Sequence, residues 1–182
     1  DALIRTYIGE RYGVRLGVPY ADAIKWLPSM RPYPAFVDAD DMQFYDAVYA
    51  VTHVVYTLNS YSCYQLSPRW LPAEYSFLKQ NLARAIQMDD PETMGEFLDS
   101  LKSFGLGEDH PLIRKGVDFL LATQNPDGSW GDVDAEDTYQ RYHPTMTAVD
   151  GLREYAWRGR RLCFPELAPL LRSKPHRTES PA

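Results

Sequence analysis

The stretch from Leu112 to Trp130 restricts the fold of this 182-residue chain more than any other. Leu112, Ile113, Gly116, Phe119, Leu120 and Thr123 fall at i, i+1, i+4, i+7, i+8 and i+11, one face of a 3.6-residue period, which specifies an amphipathic helix. Asn125-Pro126-Asp127-Gly128 then breaks the period with a turn. Trp130 follows, where a large ring can cover the free carbonyl end of that helix while Gln124 bonds nearby backbone. Such a helix buries its apolar stripe only against other elements, so the chain is expected to be all-α.

Other segments read the same way. Gly13, Gly17, Pro19, Pro28, Pro32 and Pro34 leave room for only short helices near 2–12 and 20–27, so residues 1–35 form an irregular wrapping segment. From Met42 to Tyr61 the chain is apolar nearly all round. Its valines and tyrosines favour a strand, but the run is too long for one and lacks a turn signal, so a buried helix is predicted. Tyr75, Leu78, Leu82, Ala85 and Ile86 share a helical face. Asp90-Pro91 opens a helix with Met94, Phe97, Leu98 and Leu101 inward and Gly105 as its stop, and Asp109 is expected to cap the next. A last long helix is predicted from Tyr142 to Trp157; residues 36–172 make the helical domain and 173–182 a polar, flexible tail.

Composition narrows the function. The net charge of -6 opposes nucleic-acid binding, and no apolar run reaches membrane-spanning length. Cys63 and Cys163 show neither a disulfide framework nor a metal-ligand spacing, which leaves the cytoplasm as the expected compartment.

Lys115 to Trp130, with its basic residue, small residue, aromatic, Gln, Gly and Trp in order, resembles the glutamine-tryptophan repeat of squalene and diterpene cyclases. The resemblance implies a partial or reduced alpha-alpha toroid of helix-pair repeats. Tyr142-His143 through Gly151-Leu152 is similar to an inner helix of protein prenyltransferase beta subunits, where the His binds zinc, and this nominates His143. The counterpart of that family's Asp and Cys ligands is Asp46-Ala47-Val48-Tyr49, which keeps the Asp and lacks the Cys. Asp38-Ala39-Asp40-Asp41 matches the D-x-D-D acid of class II terpene cyclases. The resemblance makes Asp40 a protonating acid flanked by Asp38 and Asp41, since adjacent like charges raise one carboxyl pKa. The same aspartates also suit a plain helix N-terminus.

The chain echoes itself. Val37-Asp38-Ala39-Asp40-Asp41 returns as Val133-Asp134-Ala135-Glu136-Asp137, and His53 and Thr57 align with His143 and Thr147, so two related units are read. Asp46, His53, Thr57 and Ser60 form one stripe, and His143, Thr147, Asp150 and Glu154 repeat its spacing. A polar stripe on a buried helix is expected to face a cavity or a partner. Facing stripes would put Asp46, His53 and His143 around a divalent metal such as zinc, magnesium or iron; otherwise the histidines bond tyrosines or backbone. His110 and His176 receive no role.

Two functional classes follow. One is an enzyme, a lyase or isomerase by the resemblance, acting on a hydrophobic isoprenoid-like molecule. Its cavity would be lined by Tyr49, His53, Tyr56, Tyr142 and His143, with Thr57 and Thr147 on substrate, Tyr56 aiding catalysis, and either an Asp acid or a metal supplying the chemistry. The other is a non-catalytic module that completes a toroid with a second copy or another chain, covering an apolar edge at Phe44, Val48 or Val55. A complement-like thioester domain is opposed by the lack of a Gly-Cys-Gly-Glu-Gln motif.

Overall fold

The computed structural model describes residues 2–34 and 41–173, and among these all regular structure is helical. The long elements are α1 (Ala2–Tyr12), α3 (Asp41–Leu58), α4 (Pro72–Gln87), α5 (Pro91–Ser103), α6 (Pro111–Ala122) and α7 (Thr138–Leu152). Short α2 (Tyr20–Ala23) continues into a 3-10 segment (Ile24–Met30), and a 3-10 turn (Pro165–Leu167) leads into α8 (Ala168–Leu171). In α3 helix prevails over strand because Phe44, Ala47, Val48, Val51, Val54, Val55 and Leu58 recur at helical spacing, and all are buried. Ser60, Tyr61 and Ser62, at φ 60, 50 and 59, then take the left-handed conformation that stops it. Pro72, Pro91 and Pro111 each open a helix, where a missing N–H costs no hydrogen bond.

Side-chain bonds fix the register of the long helices. Tyr49, Thr52 and Asn59 of α3 and its exit meet Glu92, Glu96 and Ser103 of α5, and Glu92, Gly95 and Lys102 of α5 meet His143, Thr147 and the Leu152 carbonyl of α7. Partner numbers rise together in both sets, so α3, α5 and α7 run parallel in one layer. The intervening α4 and α6 return across it and pack on α5 and on each other. Helix α5 touches α3, α4, α6 and α7, and every residue from Thr93 to Ser103 is buried.

Close approach to α5 depends on glycine. A Cβ at Gly116 would lie 2.6 Å from Leu98 Cδ2, and one at Gly95 would collide with the Thr147 carbonyl group. Lys102 Nζ, from α5, donates to the Arg153 carbonyl at 3.1 Å, a cation at the C-terminal end of α7. The wrapping segment is anchored by the buried Arg31, whose Nε and Nη2 donate to Glu74 of α4 at 2.9 and 2.8 Å, while its Nη1 donates to the Leu171 carbonyl.

Trp130 is buried, and its Nε1 donates to the Leu120 carbonyl at 2.7 Å, so the ring closes the end of α6. Gln124 Nε2 donates to the Gly128 carbonyl across the turn. Three expectations are corrected. α7 begins at Thr138, capped by the Asp137 carboxylate, and stops at Leu152 rather than Trp157. His110 caps α6 in place of Asp109, because Pro111 occupies the first helical position and the cap is the residue before it. Phe44, Val48 and Val55 are covered within the chain and form no open edge.

Candidate functional site

Cavity and cluster meet where α3, α5 and α7 come together. α1, the 3-10 segment, α3 and α7 enclose an open cavity of about 710 Å³. Leu3, Ile4, Trp26 and Ala50 supply its apolar wall, and Asp46, Tyr49, His53, Tyr139 and His143 its polar one. The parallel register explains this convergence: Tyr49 and His53 stand one turn apart on α3, and α7 presents Tyr139 and His143 with the same spacing. The Tyr139 ring stacks on His143 at 4.3 Å between centroids, and Tyr49 meets His53 edge-on at 5.5 Å. His53 is lowered to about 4 by burial, with His143 adding to the effect, and is therefore neutral near pH 7.

Beside the cavity, α5 contributes two carboxylates that no sequence signal had nominated. Glu92 and Glu96, one turn apart, lie with His143 so that one donor atom of each is within 4.8 Å of the others. His143 Nδ1 stands 3.0 Å from Glu92 Oε1, an ion-pair distance. The oxygen lies outside the directional range of a hydrogen bond, however, and Nδ1 is buried without a hydrogen-bond partner. Tyr49 donates its hydroxyl to Glu92 Oε1 at 2.8 Å, and Thr52 Oγ1 donates to Glu96 Oε2 at 2.7 Å. Burial acts to raise the Glu92 carboxyl, but the His143 contact and the Tyr49 bond outweigh it and hold the group below its ordinary value. Glu96 is pushed up to about 7 by burial, with the Glu92 charge adding to the shift.

One turn further along α5, Asp99 accepts a 2.6 Å bond from Ser62 Oγ, and burial raises it to about 6. Glu92, Glu96, Asp99 and Ser103 stand at i, i+4, i+7 and i+11, the stripe spacing of α7, and His53, Thr57 and Ser60 on α3 follow its first three positions. That spacing was the available signal. It was masked because Met94, Phe97, Leu98 and Leu101 make α5 look like an ordinary amphipathic helix with its polar face in water.

The structure brings together Asp46, Tyr49, His53 and His143 around the cavity; Asp46 is exposed, and neither it nor His53 belongs to the Glu92–Glu96–His143 cluster. Tyr56 packs against His53 and Tyr61, its phenol raised by burial. Tyr142 is half exposed and meets His143 and Tyr139 edge-on. Two threonines serve the packing. Thr57 Oγ1 bonds the Tyr20 hydroxyl at 2.7 Å and donates to the His53 carbonyl, and Thr147 lies buried where α7 crosses Gly95. Of the second stripe, Asp150 is partly exposed and pairs with Arg153, and Glu154 lies exposed beyond the end of α7. Asp38 and Asp40 lie outside the described residues, as does the side chain of Asp41, whose backbone opens α3.

Among the described residues no helix is long and apolar enough to cross a membrane. No known protein-family model matches the chain, and no solved structure matches it significantly.

Proposed function

We propose that this chain is an enzyme that binds a hydrophobic, isoprenoid-like small molecule in the cavity between α1, α3 and α7, on a reduced helix-pair toroid. The observation that carries the reading is the lining of the cavity: Leu3, Ile4 and Trp26 offer apolar contact on one side, and a neutral His53 with Tyr49 and His143 offers polar contact on the other. Apolar surface with a few convergent polar groups is the usual make-up of a small-molecule site, and about 710 Å³ suits a ligand of some fifteen to thirty heavy atoms. The parallel α3, α5 and α7 backed by α4 and α6, with the Trp130 closure of α6, support the helix-pair reading. Chemistry on a bound alkene or allylic group would be assisted by the polar side, or by the aspartates that precede α3.

The test is fluorescence titration of the full chain with farnesol and geranylgeraniol, with glycerol as a polar control. Saturable quenching assigned to Trp26 by a Trp26→Phe variant is expected, with at least tenfold weaker binding in Ala50→Trp, which fills the cavity. Equal response to glycerol, or none to either alcohol at micromolar concentration, refutes the reading.

A second reading, a module assembled with another chain, is favoured by one feature. Tyr139, Tyr142, Met146 and Val149 form an exposed apolar stripe along α7. Light scattering at micromolar concentration checks it: a dimer that becomes monomeric in Met146→Lys supports assembly, and a monomeric wild type removes it.

A further inference from the structure

We infer that Glu92, Glu96 and His143 bind one first-row divalent transition-metal ion, such as zinc, at the α5–α7 side of the cavity. Three observations converge on the same point. The first is distance: one donor atom from each residue lies within 4.8 Å of the other two, and His143 Nδ1 is 3.0 Å from Glu92 Oε1. With metal–ligand bonds of about 2.1 Å, two donors on one ion stand about 3.0 Å apart at octahedral angles and about 3.4 Å apart at tetrahedral ones, so the pair is close to the spacing of ligands sharing an ion.

The second is an unmet valence. His143 is 9% exposed and its Nδ1 is buried without a hydrogen-bond partner. A buried imidazole nitrogen left unpaired is costly, and an ion bonded to both it and the neighbouring carboxylate supplies the missing partner.

The third is support behind the donors. The Tyr49 hydroxyl holds Glu92 and the Thr52 hydroxyl holds Glu96, each by a bond under 3 Å, which orients the carboxylates as outer partners do around ligating groups. One nitrogen and two carboxylate oxygens suit zinc, iron or manganese better than calcium or magnesium, which prefer oxygen alone. A three-residue donor set also leaves coordination positions for water or for a molecule arriving through the cavity that His143 lines. The site involves neither Asp46 nor His53, and it stands or falls independently of what occupies the cavity.

The experiment is titration of the chelator-treated full chain with Co²⁺ alone, followed by its visible absorption and by calorimetry, then competition with Zn²⁺. One Co²⁺ per chain, displaced by Zn²⁺, is expected. Glu96→Gln and His143→Gln should each weaken binding at least tenfold with helicity unchanged by circular dichroism, while Asp46→Asn and His53→Gln keep the wild-type affinity. Glu92→Gln replaces either cluster variant that does not fold. Absence of Co²⁺ binding by the wild type at micromolar concentration overturns the site, whatever the variants do. So does unchanged affinity in the cluster variants, or a loss confined to Asp46→Asn or His53→Gln.

Discussion

Gly151 of α7 lies against Gly95 of α5 so closely that a Cβ on Gly151 would stand 2.9 Å from both the Cα and the carbonyl oxygen of Gly95. The obstacle is main chain, which cannot rotate away as a side chain would. Gly151→Ala should therefore force the helices apart and destabilise the fold by about 1–3 kcal/mol, the usual cost of overpacking. Urea denaturation measures it; a change within experimental error would mean that the crossing is looser than described.

Arg31 and Glu74 form a buried, two-pronged ion pair, and Tyr33 donates a further bond to the same carboxylate at 2.7 Å. Removing one partner strands the other charge in a dry site. Arg31→Met should cost about 3–5 kcal/mol, and the double variant Arg31→Met/Glu74→Leu should recover much of that loss. Recovery in chemical denaturation distinguishes a stranded charge from lost packing.

The buried Asp99 and the half-buried His53 should shape stability against pH in opposite senses. Asp99 is raised to about 6, so the folded state holds a proton that the unfolded chain releases, and its contribution is lost as pH rises from about 4 towards 6. His53 is lowered to about 4, so the unfolded chain takes up a proton that the folded state refuses, and stability is lost as pH falls from 6.5 to about 4. Relative to wild type, Asp99→Asn should become more favourable between pH 4 and 7, by on the order of 2–3 kcal/mol. His53→Gln should become more favourable over the opposite direction of travel. Denaturation across that range, variant by variant, checks both signs.

Trp130 Nε1 bonds the Leu120 carbonyl in a buried position. Trp130→Phe keeps most of the apolar contact and leaves that carbonyl only the longer bond from Thr123 Oγ1 at 3.3 Å, with an expected cost of about 1 kcal/mol. Thermal unfolding reads the loss, and a neutral result would mean that the ring closes α6 by area alone.

The helices were legible wherever period and punctuation agreed. The stripe of α6, the Asn125–Gly128 turn and the Asp90-Pro91 opening of α5 all act locally, so the chain announces them. α7 starts four residues before the expected Tyr142, after the Asp137 cap, ends at Leu152 and carries Pro144 inside it, where a proline ordinarily argues against helix. Of the candidate site, Asp46, His53 and His143 came from stripe register, which survives folding because α3 and α7 run parallel. Glu92 and Glu96 carry the same kind of spacing, but whether the polar side of an amphipathic helix meets water or other helices is decided by its neighbours. Glycines at 95, 116 and 151 let those neighbours close in.

Because α5 is enclosed on every side, its amides can meet solvent only when the helices around it separate. In deuterium exchange the residues around Leu98 should thus be the last to label, at the rate of complete unfolding, while α1 and the exposed side of α7 exchange earlier through local opening. Glu92 and Glu96 ride on the same helix. Whatever they hold is released on the timescale of global unfolding when its escape requires α5 to come loose, and far faster when it leaves through the cavity mouth.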